Sequence, residues 1–381
     1  MKLVLSIIIL STFVSCISNN NMVPKSIVDD VIVGHEIGEI IIKIDSLTMT
    51  PEYYQIFNTY HDDTTILLIG YNRKTHSFDI IDLISKKVGY HIDCDNDGPN
   101  GIGPLLGFDF ITPDSIIIAD MSKFCIINKH GEITWKLDRN EKSLYQDIPG
   151  GFLFSASSFE PNFNQRTESL IFHYYPDNRK RMWNLPIIVE VDILNKKSTF
   201  IDFFYPDYLR GRDDYNPVYT GPNACFIADS IIINFANSSD IFALNLTSGS
   251  TRQYCGTSEY VDSLPEPMQK GSNPLDYALS TARFFKIVFD PYRNSFYRTQ
   301  WSKMDIRKDG YDFNTYYDKP IFLSVFDKSL NVLYETQLSI ENGICPEMLI
   351  PTPEGLIVFP FKQKLDDLDN DIIKGNLITF K

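Results

Sequence analysis

The stretch DSIIIADMSKFCIINKHGEIT, residues 114–134, decides how the chain folds. It returns with a longer turn as DSIIINFANSSDIFALNLTSGST, residues 229–251. Each copy opens with Asp-Ser, side chains that hold tight turns by bonding backbone two residues on. Three isoleucines follow in each. A β-branched run without polar alternation suits a strand buried on both faces. A second strand then ends in Asn128 or Asn245, and a glycine-containing polar turn leads to an outgoing strand. A third copy starts at Asp63-Thr64-Thr65-Ile66-Leu67-Leu68 and closes through residues 78–87; weaker copies cover 186–200 and 319–334.

A single sheet of this kind cannot cover both of its apolar faces. Stacking such sheets around an axis covers every face and leaves few open edges. The pattern therefore predicts an all-β chain, a six-bladed β-propeller with units near 50–95, 105–139, 148–204, 220–256, 283–340 and 346–381. The last unit has room for only part of a blade. The segment GEIIIKI, residues 38–44, is a strand suited to complete it and clasp the ring. Seven blades is the alternative count, and a two-domain β-sandwich the alternative architecture. Compact repeats use about 40–45 residues per blade, so insertions are expected near 155–185, 205–220, 256–283 and 302–320. One helix is expected near 274–284.

The 381 residues are 43% hydrophobic, which excludes a disordered chain. The formal charge of −14, with no basic block, makes a poor ligand for phosphate backbones, so nucleic acid is not an expected partner. The N-terminus reads as an address. Met1 and Lys2 precede an apolar run over residues 3–14, too short to span a bilayer, which takes roughly 20 residues. Ser15 and Cys16 follow, as in a secretory signal with a small residue before the cut. Cys16 in this place resembles the lipidated cysteine of bacterial lipoproteins. The expected layout is a signal peptide over 1–15, lipidated Cys16 with a polar tether to 35, and one propeller domain over 36–381. The membrane partner is then reached through the N-terminal lipid, at the outer membrane and on its periplasmic face.

Five further cysteines show no zinc or redox spacing. Cys225 and Cys255 bracket one repeat and form the candidate disulfide. The run Asp93-Cys94-Asp95-Asn96-Asp97-Gly98 fits the first half of a calcium loop, with Asp93, Asp95 and Asp97 as oxygen ligands. The twelfth position is Pro104 in place of a bidentate Glu, so a blade-connecting loop is the plainer alternative. No other cofactor is expected.

The segments DGPNGIG (97–103), FDFITPDSIII (108–118), NKHGE (128–132), Tyr205-Pro206 and DPYRNSFYR (290–298) resemble a family of Bacteroidetes lipoproteins of this length. Their shared domain is of unknown function and related to six-bladed propellers. The resemblance implies the propeller and the envelope location, and it carries no established activity or functional residue.

No G-x-S-x-G, H-E-x-x-H or Walker loop is present, and no catalytic residue is assigned. Two segments join aromatic and basic residues inside an acidic protein, one around Arg181 and Trp183, the other around Arg283, Tyr292, Arg298 and Trp301. Aromatic faces stack on sugar rings and Arg forks grip carboxylates, which suits a channel mouth. Asn100, in a glycine-rich turn, joins these as a candidate ligand-binding residue. The competing use of the same residues is packing between blades. The function expected is a binding, recognition or scaffolding module for a peptide, protein or glycan of the envelope. The alternative is a propeller enzyme, a metal-assisted hydrolase or lyase acting on glycans or lactones.

Overall fold

Turn chemistry fixes where the strands end. Asp82 Oδ1 accepts the N–H groups of Ile84 (2.9 Å) and Ser85 (3.1 Å). Asn128 does the same for His130 and Glu132, Asp192 for Leu194 and Asn195, Asn245 for Thr247 and Ser248, and Asp327 for Ser329 and Asn331. Each of these turns places one residue in the left-handed region: Lys86, Gly131, Lys196, Gly249 or Leu330. The opening Asp-Ser turns are built differently from the expectation. The strand ladders already close them through Thr112↔Ser115 and Ile227↔Ser230. Asp114 and Asp229 instead form exposed ion pairs with Lys129 and Arg166.

The computed structural model describes residues 35–380 except 63, 155–158, 165, 178, 210–220, 265–267, 269–270, 308–312, 341–342 and 369. The expected signal peptide, Cys16 and nearly all of the tether lie outside the described residues. The chain opens with β1 (His35–Lys43). An antiparallel meander follows: β2 (Phe57–His61), β3 (Ile66–Asn72), β4 (Ser77–Asp82) and β5 (Lys87–Asp93). The next comprises β6 (Leu105–Thr112), β7 (Ser115–Asp120), β8 (Lys123–Ile127) and β9 (Ile133–Asp138). The third comprises β10 (Gly151–Phe154), β11 (Asn162–Asn164), β12 (Ser169–Pro176), β13 (Ile188–Asp192) and β14 (Lys197–Ile201). The fourth comprises β15 (Pro222–Ile227), β16 (Ser230–Phe235), β17 (Ile241–Asn245) and β18 (Thr251–Tyr254). The fifth comprises β19 (Arg283–Phe284), β20 (Val288–Asp290), β21 (Ser295–Trp301), β22 (Ile321–Phe326) and β23 (Val332–Gln337). The last comprises β24 (Leu349–Pro351), β25 (Leu356–Val358) and β26 (Ile372–Phe380). β1 lies antiparallel to β26 over its whole length, from His35↔Phe380 to Lys43↔Ile372. A single parallel bridge, Lys43↔Lys87, joins this last group to the first meander. The protein is thus all-β with several sheets. The expected helix is shorter than its pattern suggests, covering Pro274–Ser280 with Asn273 as its N-cap.

The apolar triplets explain the packing. Ile116 and Ile118 face a core shared with Leu67 and Ile69, whereas Ile117 between them faces one shared with Leu170 and Phe172. Ile231 and Ile233 meet Ile171 and Ile188, and Ile232 meets Phe296 and Phe326. Leu323 and Val325 pack on Leu356, Val358 and Ile378. Ile40, Ile42 and Ile373 pack on Ile66, Leu68 and Ile81. Burying one such side chain stabilises by about 1.5–3 kcal/mol relative to exposure, and here both faces of the middle strands are used.

A buried polar knot fastens residues 45–54, the segment between β1 and β2. Asp79, fully buried, accepts from Met49 N–H (2.9 Å), Tyr54 Oη (2.7 Å) and Asn72 Nδ2 (3.1 Å). His91 bridges Asp79 (Nδ1, 2.9 Å) and Asp45 (Nε2, 3.0 Å). Burial pulls the His91 pKa down, but the two carboxylates outweigh it and hold it above the usual value. Asp45 is lowered to about 2, burial being overcome by its bonds to His91, Thr48 and Leu47. The imidazolium's contribution to stability is therefore complete below the ordinary histidine value of about 6.5 and disappears as pH rises through the raised value. The Asp45 contribution is present above about pH 4 and disappears toward about pH 2. We expect the urea midpoint of the wild type to fall between about pH 6 and 8.5, and that of His91→Gln to change much less over the same range. Equal slopes for the two proteins would contradict the assignment.

Candidate functional site

Strands at the opening edge of the meanders, β2, β6, β11, β15, β20 and β24, meet around one space. Every residue of β2 and β11 is only half-buried, whereas every residue of β3 is buried. Their side chains line one cavity of about 280 Å³. β2 contributes Asn58 and His61, β6 Asp109, β11 Asn162, β15 Cys225 and Phe226, β20 Phe289 and β24 Leu349. Glu160 precedes β11, Lys286 precedes β20 and Glu347 precedes β24.

Asp109 is the focus of this cavity. Its Oδ1 accepts from Asn58 Nδ2 (2.8 Å) and from the Phe110 N–H (2.9 Å), and its Oδ2 from Asn162 Nδ2 (3.2 Å). Surrounding protein, and secondarily the charge of Glu160, push its pKa up to about 7 against the pull of these donors and of Lys286. Its side chain still meets the cavity's open space, so it is enclosed without being sealed. Glu160 is 5% exposed, and its Oε2 lies 2.5 Å from Lys286 Nζ. Burial raises the Glu160 pKa against the opposing pull of Lys286. For Lys286, burial works downward, but Glu160 outweighs it and the net direction is upward. Glu347 accepts from Arg283 Nη2 (3.1 Å), whose guanidinium lies over the Phe285 ring. Burial lowers the pKa of His61 and raises that of Cys225, so the imidazole and the thiol are both uncharged near neutrality. The arrangement sets a few directional polar groups among apolar walls from Phe57, Phe226 and Phe289, the usual composition of a small-ligand site.

The residues expected from sequence to bind ligand are scattered. Arg283 reaches the cavity lining through Glu347, and the half-exposed Tyr292 ring lies 6.4 Å from that of His61. The other five do not join them. Arg298 is fully buried and donates to Ser239 O (2.9 Å) and Gly256 O (2.6 Å) between the rings of Phe284 and Phe326. Burial brings its pKa down to about 9. Trp301 packs edge-on to Phe285 and stacks on Tyr316, while Trp183 packs edge-on to Tyr205. Arg181 is exposed on a four-residue helix, Arg179–Met182. Asn100 accepts the Ile133 N–H and ties a loop. Packing, the competing use of aromatic and arginine side chains, accounts for Trp183, Arg298 and Trp301.

Two further expectations are corrected or relocated. Cys225 lies on β15 and Cys255 just beyond β18, at opposite edges of one sheet. Strands spaced about 4.8 Å apart hold these edges some way beyond the ~7 Å that a disulfide spans, so the expected pairing is not made. Asp93 ends β5, and the Asp95 carbonyl accepts from the Ile102 N–H (2.8 Å) and pairs with His76 Nε2 (3.2 Å). Among the described residues, no group of three His, Cys, Asp or Glu side chains is placed to hold a metal ion, so Asp93, Asp95 and Asp97 do not gather into a site. The residues that do converge carried a different signal. Asp109 in FDF, Glu160 in FEP and Lys286 in FFKIVF are lone charges beside aromatic residues, Asp109 within a strand and the other two just before one.

Residues 31–337 match the family model described as Domain of unknown function (DUF4221). Among solved structures, a member of that family from Bacteroides vulgatus ATCC 8482 aligns over 91% of this chain and 98% of its own, with TM-score 0.75 at 18% identity. A Bacteroides fragilis NCTC 9343 protein predicted to be exported aligns over 91% of this chain and 95% of its own, with TM-score 0.55 at 12% identity. At these identities the likeness is one of fold. No curated protein matches the chain in sequence.

The ion pair at the cavity's edge sets an expectation for stability. Lys286→Met leaves Glu160 buried without its partner and should cost about 3–5 kcal/mol in denaturant unfolding, because an uncompensated buried charge is expensive. The double variant Glu160→Gln, Lys286→Met should recover most of that loss. A single variant as stable as the wild type would show that the pair is not enclosed as described.

Proposed function

We propose that this chain, which belongs to the DUF4221 family, is a lipid-anchored β-propeller of the cell envelope that captures a peptide, protein or glycan in its axial cavity. In this reading each meander is one of six blades, and β1 completes the last of them beside β26. The reading draws support from the apolar clusters, which join each group to the next and the C-terminal group to the first. The observation that carries it is the convergence of β2, β6, β11, β15, β20 and β24 on one cavity, into which β2, β6, β11 and the residues just before β11, β20 and β24 bring polar side chains. A ring that served only as a scaffold would gain more from an apolar plug at its axis than from enclosed charges. Lipidation of Cys16 would tether the domain to the outer membrane, on its periplasmic face. Among the described residues, no helix is long and apolar enough to cross a membrane.

A second reading, an enzyme acting on glycans or lactones, draws on Asp109 alone, since a carboxyl that titrates near about 7 suits acid–base chemistry. Propellers can gather catalytic groups from several blades, but among the described residues no group of three His, Cys, Asp or Glu is placed to hold the metal that this reading calls for.

Two experiments test the proposal. Envelope peptides and glycans titrated into the protein should include a ligand whose affinity falls about fivefold or more in each of Phe226→Ala and Phe289→Ala, the loss expected for an anchoring aromatic contact. A ligand that both variants retain at full strength would move the site away from the cavity. Turnover of a glycan or lactone, abolished by Asp109→Asn, would favour the enzyme. In cells, Cys16→Ser should shift the protein from the membrane fraction to the soluble one and abolish labelling by a fatty-acid analogue. Unchanged fractionation and labelling would remove the anchor from the proposal.

A further inference from the structure

The charges that face the cavity do not balance. Three carboxyl groups line it: Asp109, Glu160 and Glu347. Lys286 is taken up by Glu160 at 2.5 Å, and Arg283 by Glu347 at 3.1 Å. His61 and Cys225 bring no charge near neutrality. Asp109 is left with amide donors only, Asn58 and Asn162 from two neighbouring meanders and the Phe110 N–H. Among the described residues no cationic side chain lies within ion-pair distance of it; Lys286 acts on it only from further away. A carboxylate so enclosed lacks the counter-charge that buried ions ordinarily have.

We propose that the cavity takes an organic ammonium, a ligand carrying one positively charged amine on an apolar body, with the amine on Asp109 and the body against Phe57, Phe226 and Phe289. The inference rests on the reading that the cavity is the ligand site. Phenylalanine faces attract cations and also cover hydrocarbon. An anion would have to displace Glu160 from Lys286 while facing Asp109 and Glu347. A neutral polyol would find hydrogen bonds but would leave Asp109 without compensation. The cavity, at about 280 Å³, falls just under the ~300–1,000 Å³ that encloses a drug-sized ligand, so it admits a small amine or the amine-bearing end of a longer chain.

The test uses the full-length protein in detergent and three probes of one shape: phenethylammonium, phenethyl alcohol and hydrocinnamate. Calorimetric titration near pH 7 should show the ammonium binding, the alcohol at least about tenfold weaker and the carboxylate weaker still. Ammonium binding should release about half a proton, because it draws Asp109 down from about 7. The release is read from the dependence of the heat on buffer ionisation enthalpy. Asp109→Asn should lose both the release and the preference for the ammonium. If that variant does not fold, wild-type affinity measured from about pH 5.5 to 8 serves instead, and should rise and then level off above about 7. Equal or better binding of the alcohol or the carboxylate, no ammonium binding at millimolar concentration, or a flat pH profile would overturn the inference. A glycan or neutral peptide that binds with sensitivity to Phe226→Ala while phenethylammonium does not would overturn it and leave the cavity as the ligand site.

Discussion

Strands that are buried on both faces govern this molecule. A meander whose middle strands read Ile-Ile-Ile or Ile-Leu-Leu cannot meet water on either side, so each sheet needs two apolar neighbours. The alternation of side chains along a strand distributes that need. Ile117 serves one neighbour, and Ile116 and Ile118 serve the other. A linear stack would leave its terminal sheets with an open face. The chain ends in the opposite condition, because β1 and β26 pair over nine residues and their apolar side chains meet those of the first meander. In the proposed ring this is where the circle is sealed, with β1 as an integral part of the fold.

The same constraint explains why the polar residues gather where they do. The middle strands admit charge only where hydrogen bonds tie it down, as at Asp79 and Arg298, and the outer strands, such as β5 and β23, are exposed or half-buried along most of their length. The opening strands lie between these extremes. They have protein on both sides and meet one another through polar contacts such as Asn58 to Asp109, and a cavity is left that their side chains line. A charge placed there is neither solvated nor buried in apolar contact. It must find partners among the other opening strands, as Glu160 does in Lys286, 126 positions away in sequence.

The fold was legible because it is written locally and repeatedly. Asx residues that bond the backbone two positions on, and again three or four positions on, close the third strands of five meanders, and apolar runs lie between fixed turn signals. The site was much less legible. Asp109, Asn58 and Asn162 come together only because three separate strands approach one cavity, and nothing within any one segment records the other two. Local clustering also misled. YRNSFYRTQW gathers arginine, tyrosine and tryptophan in one place, but its last seven residues form β21, buried along its whole length, where alternation sends Arg298 and Trp301 to opposite sheet faces. Arg298 spends its donors on backbone carbonyls, and Trp301 packs on Phe285. Guanidinium groups and aromatic rings are as useful for tying neighbouring sheets as for gripping a ligand, and composition does not separate the two uses. A lone carboxyl or amine held inside the fold beside aromatic residues is more informative, since it needs a partner there, as Glu160 finds in Lys286.

That last distinction bears on why the cavity has the composition it has. Replacing buried ion pairs with apolar side chains of similar volume is often neutral or stabilising. An interior selected for stability alone would drift toward a leucine and phenylalanine plug in this cavity. The chain instead keeps Glu160, Lys286 and a carboxyl that resists ionising, each raised in pKa by its surroundings. Proteins tolerate such groups where function needs them and where the rest of the fold is stable enough to hold them. Here the apolar contacts on both faces of every middle strand supply that margin. At this cavity the cost is not offset by packing, and there a ligand can supply the contacts and the counter-charge that the chain does not.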